Sequence, residues 1–312
     1  MLKFLKNTAL FTLSLPLFIV FFTILWGLLA PSFLTDNLNY KLGADSFFYN
    51  RIREANQNQD IDVLVLGASQ AYRGFDPRVF SEQGISLFNL GSSNQTQVQT
   101  EALVNTYLSK LNPKVVLFVV NPESFSMDGI ESSIDLLCNG PFTKQTVAMV
   151  FKVNSLKTYF TFIYAGFRQL FRLDKNFSHP TQIGESKYVP GGYVERNSKA
   201  FVPKNQQHFI EWKPRVFQQK AFEQTLQTLK TSGVEIILIQ APLEFEFTNK
   251  ITNLNWYHNY FTTHGVPYLN YTNFFPHNRE YFYDEFHLNQ KGVEAFNTDI
   301  IQRVKLQERV NK

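Results

Sequence analysis

Residues 9–30 read ALFTLSLPLFIVFFTILWGLLA, without a charged side chain at any of 22 positions. Beyond them, short apolar runs recur: IDVLVLG at 61–67, ISLFNLG at 85–91, KVVLFVV at 114–120, VEIILIQ at 234–240 and VPYLN at 266–270. These have strand length and strand composition. Helical patterns lie between them, over roughly 95–111, 214–231, 250–264 and 289–307. Several of the runs are continuous in Val, Ile and Leu instead of alternating with polar residues, as in strands covered by helices on both faces. The order predicts an α/β fold, a three-layer sandwich around a five-stranded parallel sheet with right-handed crossovers.

The uncharged N-terminal stretch is enough helix to cross a hydrocarbon core of about 30 Å and predicts a transmembrane helix. Lys3 and Lys6 precede it, which leaves the N-terminus in the cytoplasm and sends the rest of the chain outside. A cleaved signal peptide fits less well: its apolar region is usually about 7–15 residues, and Leu28 stands where a small residue is wanted. A buried core helix would show a polar face, and none is present.

The expected organisation is therefore an anchor at 1–30, a polar stalk and short helix at 31–60, and a catalytic domain at 61–312. Residues 122–213 separate the third and fourth strands, too far apart for a loop, and predict a structured insertion or a lid over the site. Its stretch 142–171 is aromatic and helical in tendency, but lysines and an arginine interrupt it, so it is no second span. The aromatics read as packing against the sheet, with a membrane-surface or groove role as the alternative. VPGGY at 189–193 and AFVPKNQQ at 200–207 read as loops.

Composition narrows the function. A chain of 312 residues that is 44% hydrophobic can bury a sizeable core. The net charge is +4, and no basic run is interleaved with stacking aromatics, so no nucleic-acid partner is expected. Cys138 is the only cysteine; it excludes an internal disulfide and reads as a core residue. Sequons at Asn94, Asn176 and Asn270 matter only in a host that glycosylates exported proteins. There is no HExxH, HxH or cysteine pair, so neither metal nor cofactor is expected.

In an open parallel sheet the site forms beyond the carboxyl ends of the strands. After the first strand comes Gly67-Ala68-Ser69, after the second Asn89-Leu90-Gly91-Ser92, and after the third Asn121-Pro122. After the fifth comes YDEFHLNQKG at 283–292. A serine hydroxyl becomes a nucleophile when an adjacent base takes its proton. His287 can be that base, and Asp284, three residues earlier, can fix its tautomer and balance the imidazolium. The backbone N–H groups of Ser69 and Gly91 and the amide of Asn121 are candidate donors to an oxyanion.

Each of these residues has a plainer reading. Ser69 can close a turn, Asp284 can start a helix, and Gly91 and Asn121 can be turn residues, with Asn89 and Asn94 as substitute amides. His287 stands out, because His179, His208, His258, His264 and His277 have no acid three residues before them. Gln70 has no evident role.

Together these residues resemble the SGNH (GDSL-like) hydrolases. The family has a nucleophilic serine after the first strand, an oxyanion glycine after the second, an oxyanion asparagine after the third, and Asp-x-x-His before the last helix. Here the matching positions are Ser69 in VLVLGAS, Gly91 in FNLGSS, Asn121 in FVVNPES, and Asp284 with His287 in DEFHLNQKG, where Gly292 also falls as the family has it. The resemblance covers 61 to about 305, leaving 122–213 unmatched. Gly-Ala-Ser replaces the usual Gly-Asp-Ser, and Val-Val-Asn-Pro replaces Gly-x-Asn-Asp.

The resemblance implies a flavodoxin-like SGNH fold and acyl-ester chemistry through a Ser-His-Asp triad. One anchor followed by such a domain is similar to the D-alanyl transfer protein of teichoic acid synthesis, and to the O-acetyltransferases and esterases that modify peptidoglycan, alginate and other exopolysaccharides. That branch implies an extracytoplasmic esterase or O-acyltransferase acting on envelope or exported polysaccharide, with a multi-span membrane acyltransferase as partner. The alternative is a catalytically silent domain of the same fold that binds glycan or a membrane protein.

Overall fold

The structure, a computed structural model, describes residues 1–35, 38–43, 46–196, 201 and 208–311. Helix α1 (Leu2–Leu29) comes first, then α2 (Phe48–Ala55). Next are β1 (Val63–Leu66), the short helices α3 (Ser69–Tyr72) and α4 (Pro77–Ser81), β2 (Leu87–Asn89), α5 (Gln97–Leu111), β3 (Val115–Val119) and α6 (Pro122–Ser126). Three helices follow, α7 (Ile130–Asn139), α8 (Lys144–Val153) and α9 (Leu156–Leu170), and then the strands β4 (Gln182–Ile183), β5 (Ser186–Val189) and β6 (Tyr193–Arg196). The chain closes with α10 (Val216–Thr231), β7 (Glu235–Gln240), α11 (Phe245–Thr248), α12 (Leu254–Thr262), β8 (Tyr268–Asn270), α13 (Gln290–Arg303) and α14 (Leu306–Val310).

The five strands read from the sequence form one sheet in the order β2-β1-β3-β7-β8, parallel at every pairing. Successive side chains of a strand point to opposite faces, and here both faces are covered. Leu64, Leu66, Val116, Phe118 and Leu238 pack with Leu103 of α5, Phe222 of α10 and Phe261 of α12. Val63, Val65, Leu117 and Ile237 pack with Val293, Phe296 and Ile300 of α13. This two-sided burial explains the unbroken apolar runs, each such side chain contributing about 1.5–3 kcal/mol. Leu66 lies opposite Phe118, and Phe118 opposite Leu238, so the central strands end within two residues of one another and their loops leave from one edge.

The described part of the long connection is structured. Helices α7, α8 and α9 pack on one another, and α8 packs on α5. Strands β4, β5 and β6 form a separate antiparallel sheet. VPGGY, read as a loop, is the end of a hairpin: Val189 pairs with Tyr193, and Gly191 and Gly192 take φ of 93° and 88°, which favour glycine. Of AFVPKNQQ only Phe201 falls among the described residues. Within the stretch read as a stalk, Tyr40 donates to Asp174 at 2.6 Å, Gly43 N–H donates to Asn139 at 2.7 Å, and Leu38 is buried. These residues lie against the insertion helices.

Candidate active site

The turn after β1 depends on Gly67. Its φ is 137°, and a Cβ there would stand 2.6 Å from the Val119 carbonyl oxygen, so a side chain is excluded by both backbone and space. The tight turn makes Ser69 the first residue of α3, half-buried at the sheet edge.

The acid and the base come from the loop between β8 and α13, which several contacts hold in place. Phe282 and Leu288 form an antiparallel bridge, Asn289 donates to Glu280 O at 2.6 Å, and Glu244 N–H donates to Glu285 O at 3.1 Å. Buried Glu244 also accepts from Arg279 at 2.9 Å. Within the loop, Asp284 Oδ1 accepts from the backbone N–H groups of Phe286 and His287, both at 2.9 Å. The His287 Nδ1 lies 2.8 Å and 2.9 Å from the two Asp284 oxygens, and its Nε2 lies 2.8 Å from Ser69 Oγ.

Burial alone would raise the Asp284 pKa, but hydrogen bonds from the His287 ring and the two backbone N–H groups outweigh it and hold the carboxyl below the usual carboxylate value. An ionised Asp284 assigns the Nδ1 proton to the imidazole side facing it. Nε2 is then left as an acceptor toward the serine hydroxyl.

Gln70, which has no role in the sequence, joins the two halves of this site. It is buried, and its Nε2 donates to the Phe286 carbonyl at 3.2 Å, tying the Asp-His turn to the helix that carries Ser69. A local pattern gives no signal for this, because the partner is 216 positions away.

The expected oxyanion donors differ in availability. Ser69 N–H begins α3 without a side-chain cap and meets no backbone acceptor among the described residues. Gly91 is in place: a Cβ on it would come within 3.0 Å of the Gly67 carbonyl and the Ala71 Cβ. Its N–H, however, donates to Asn89 Oδ1 at 2.8 Å and is not the free donor expected. Asn89 in turn donates to the Ala71 carbonyl at 2.7 Å, so this buried amide braces α3 against the loop after β2.

Asn121 is also committed locally. It caps α6, accepting from Glu123 N–H at 3.0 Å. Burial pushes the Glu123 pKa up, and hydrogen bonding from the Asn121 amide opposes this only in part. Asn94, the other substitute amide, donates to Glu131 at 3.1 Å.

The insertion reaches the site from the hairpin side. Gly191 O accepts from Asn89 N–H at 2.9 Å, Tyr193 donates to Gln290 at 2.7 Å, and the Arg196 guanidinium lies 4.6 Å from the Tyr283 ring centre. The strands β5 and β6 thus brace both the loop after β2 and the turn holding Asp284 and His287.

No family model matches the chain, and neither does a curated protein. Among solved structures, it is similar to a candidate acylhydrolase from Bacteroides fragilis at 12% identity, over 85% of this chain and 98% of that one, with a TM-score of 0.42. It is also similar to a GDSL-like lipase from Bacteroides thetaiotaomicron at 11% identity, over 84% of this chain and 100% of that one, again with a TM-score of 0.42.

Proposed function

We propose that the chain is a membrane-anchored serine esterase or O-acyltransferase whose domain faces the extracytoplasmic side and acts on acyl esters of cell-envelope or exported polysaccharide. The observation that carries this reading is the hydrogen-bonded chain from Ser69 Oγ through His287 to Asp284. His287 Nε2 takes the Ser69 proton as Oγ attacks the ester carbonyl, and Asp284 balances the imidazolium that forms. His287 then gives the proton to the leaving alcohol. The resulting acyl-enzyme is resolved by water in an esterase, or by a sugar hydroxyl in a transferase.

The oxyanion is held first by Ser69 N–H. Gly91 N–H joins once it exchanges Asn89 for the developing charge, because a hydrogen bond to an ionised oxygen is roughly twice as strong as one to a neutral amide oxygen. Asn121 is the third donor once its amide turns from Glu123 to the oxyanion. In the transferase case a multi-span membrane protein supplies the acyl group. The anchor is helix α1, whose apolar window has a mean hydropathy of 2.3.

The second reading, a silent domain that binds glycan or a membrane partner, is favoured by one observation, the engagement of Gly91 N–H with Asn89. A fluorophosphonate separates the two. In the full chain in detergent we expect a mass adduct on the Ser69 peptide, absent in Ser69→Ala, and a loss of roughly 10⁴ or more in kcat toward an activated acetyl ester in that variant. Absence of an adduct at millimolar probe would overturn the esterase reading and favour the binding module.

A further inference from the structure

The seam between α1 and α9 has a geometric consequence for how the domain meets the membrane. Most of α1 is exposed, yet Thr23 near its end is buried. Tyr164 of α9 donates to the Gly27 carbonyl at 2.8 Å. Its ring lies so close to Gly27 that a Cβ there would stand 2.5 Å from it. Gly27, Ala30 and Thr35 share one cavity of about 590 Å³ with Tyr164, Arg168 and Leu173. Helix α9 therefore packs against the last two turns of α1.

A hydrocarbon core of about 30 Å needs about 20 helical residues. Wherever those 20 fall after Lys6, the outer boundary comes between Trp26 and Leu29. At ~1.5 Å per residue, Thr23 then lies about 4–9 Å below that boundary. What packs against Thr23 and Gly27 must share their depth.

The residues around the seam suit that depth. Phe33 is 76% exposed just past α1, and Leu170 and Phe171 are 77% and 60% exposed at the end of α9. Leu173 is exposed beside them. Arg172 and Lys175 are exposed next to this patch, placed for lipid phosphates. Arg168 does not stay free: it pairs with Asp174 and donates to the Tyr164 hydroxyl at 3.0 Å. Large exposed apolar side chains, rimmed by bases and continuous with a membrane span, are the features of a helix lying in the interface.

We infer that α9 and the turn at 171–173 are embedded in the headgroup layer of the leaflet at which α1 ends, so that the domain is seated on a phospholipid bilayer instead of standing off on a stalk. This rests on the reading of α1 as the membrane anchor. It places the domain at a set height and tilt over the lipid surface.

Nitroxide labels on the full chain in phosphatidylcholine–phosphatidylglycerol vesicles test it. Phe171→Cys and Leu170→Cys report on the patch, Phe18→Cys on the span, and Lys187→Cys on the exposed hairpin. The native Cys138 is buried. We expect the labels at 170 and 171 to be relaxed by oxygen in preference to a nickel chelate, as at 18, with the reverse preference at 187. Water-like relaxation at both 170 and 171 beside a lipid-like 18 would overturn the seating while sparing the anchor, and would hand this face to a protein partner. A water-like label at 18 would overturn both.

Discussion

Ser69 reaches His287 because Gly67 lets β1 turn sharply, and Gln70 keeps the other half of the site in register. Gln70→Ala would leave the Phe286 carbonyl without its 3.2 Å donor, at a cost of about 1 kcal/mol or slightly more. We expect kcat toward an acetyl ester to fall about tenfold with little change in KM, and fluorophosphonate labelling of Ser69 to slow by a similar factor. An unchanged labelling rate would show that the tether does not position the base. The contrast between Gln70 and the triad is one of range. Asp284 and His287 are legible because they are three residues apart and their joint purpose is local. The purposes of Gln70 and Asn89 exist only in contacts that folding creates.

At the scale of elements, the hairpin of β5 and β6 turns the insertion into part of the site's frame. Gly192 takes φ of 88°, and a Cβ on it would stand 2.4 Å from the Asn89 carbonyl. Its own carbonyl accepts from the fully buried Arg51 at 2.9 Å. Gly192→Ala should therefore strain the backbone and push the hairpin from β2, costing about 1–3 kcal/mol. Thermal melting should drop by several degrees, roughly 2–4 °C for each kcal/mol, and ester turnover should fall with it. A melt and a rate equal to those of the unaltered chain would mean that the hairpin is not needed where it sits. The elements themselves were unequally visible. The five core strands and α5, α10, α12 and α13 follow from long apolar patterns. The small sheet does not, since its strands QI, SKYV and YVER mix polar and apolar residues and form no continuous apolar run.

For the whole molecule, one half-buried carboxyl, with its Oδ2 shielded from solvent, makes stability depend on pH. Asp135 sits on α7, which packs on both α2 and α9 and so links the domain to the anchor. Burial raises its pKa to about 7, against the lowering effects of Asn139 and of the Arg51 and Lys41 charges. The native state thus holds a proton that the unfolded chain releases near pH 4, and stability falls as pH rises from there toward 7. Asp135→Asn removes that dependence while keeping the oxygen that accepts from Asn139 at 2.9 Å. We expect the melting temperature of the variant to exceed that of the parent chain by more at pH 8 than at pH 5. Equal shifts at the two pH values would count against a protonated Asp135.

The sequence by itself determined the apolar span, the parallel five-stranded sheet and the residue types at its carboxyl edge, because each is written in spacing along a short stretch of chain. Only the tertiary structure decided that Ser69 and His287 meet at bonding distance, that Gly91 N–H is already engaged, and that α9 packs against the end of the anchor. Those facts depend on side chains and backbone groups far apart in the chain competing for the same partners, and such competition has no signature until the chain is packed.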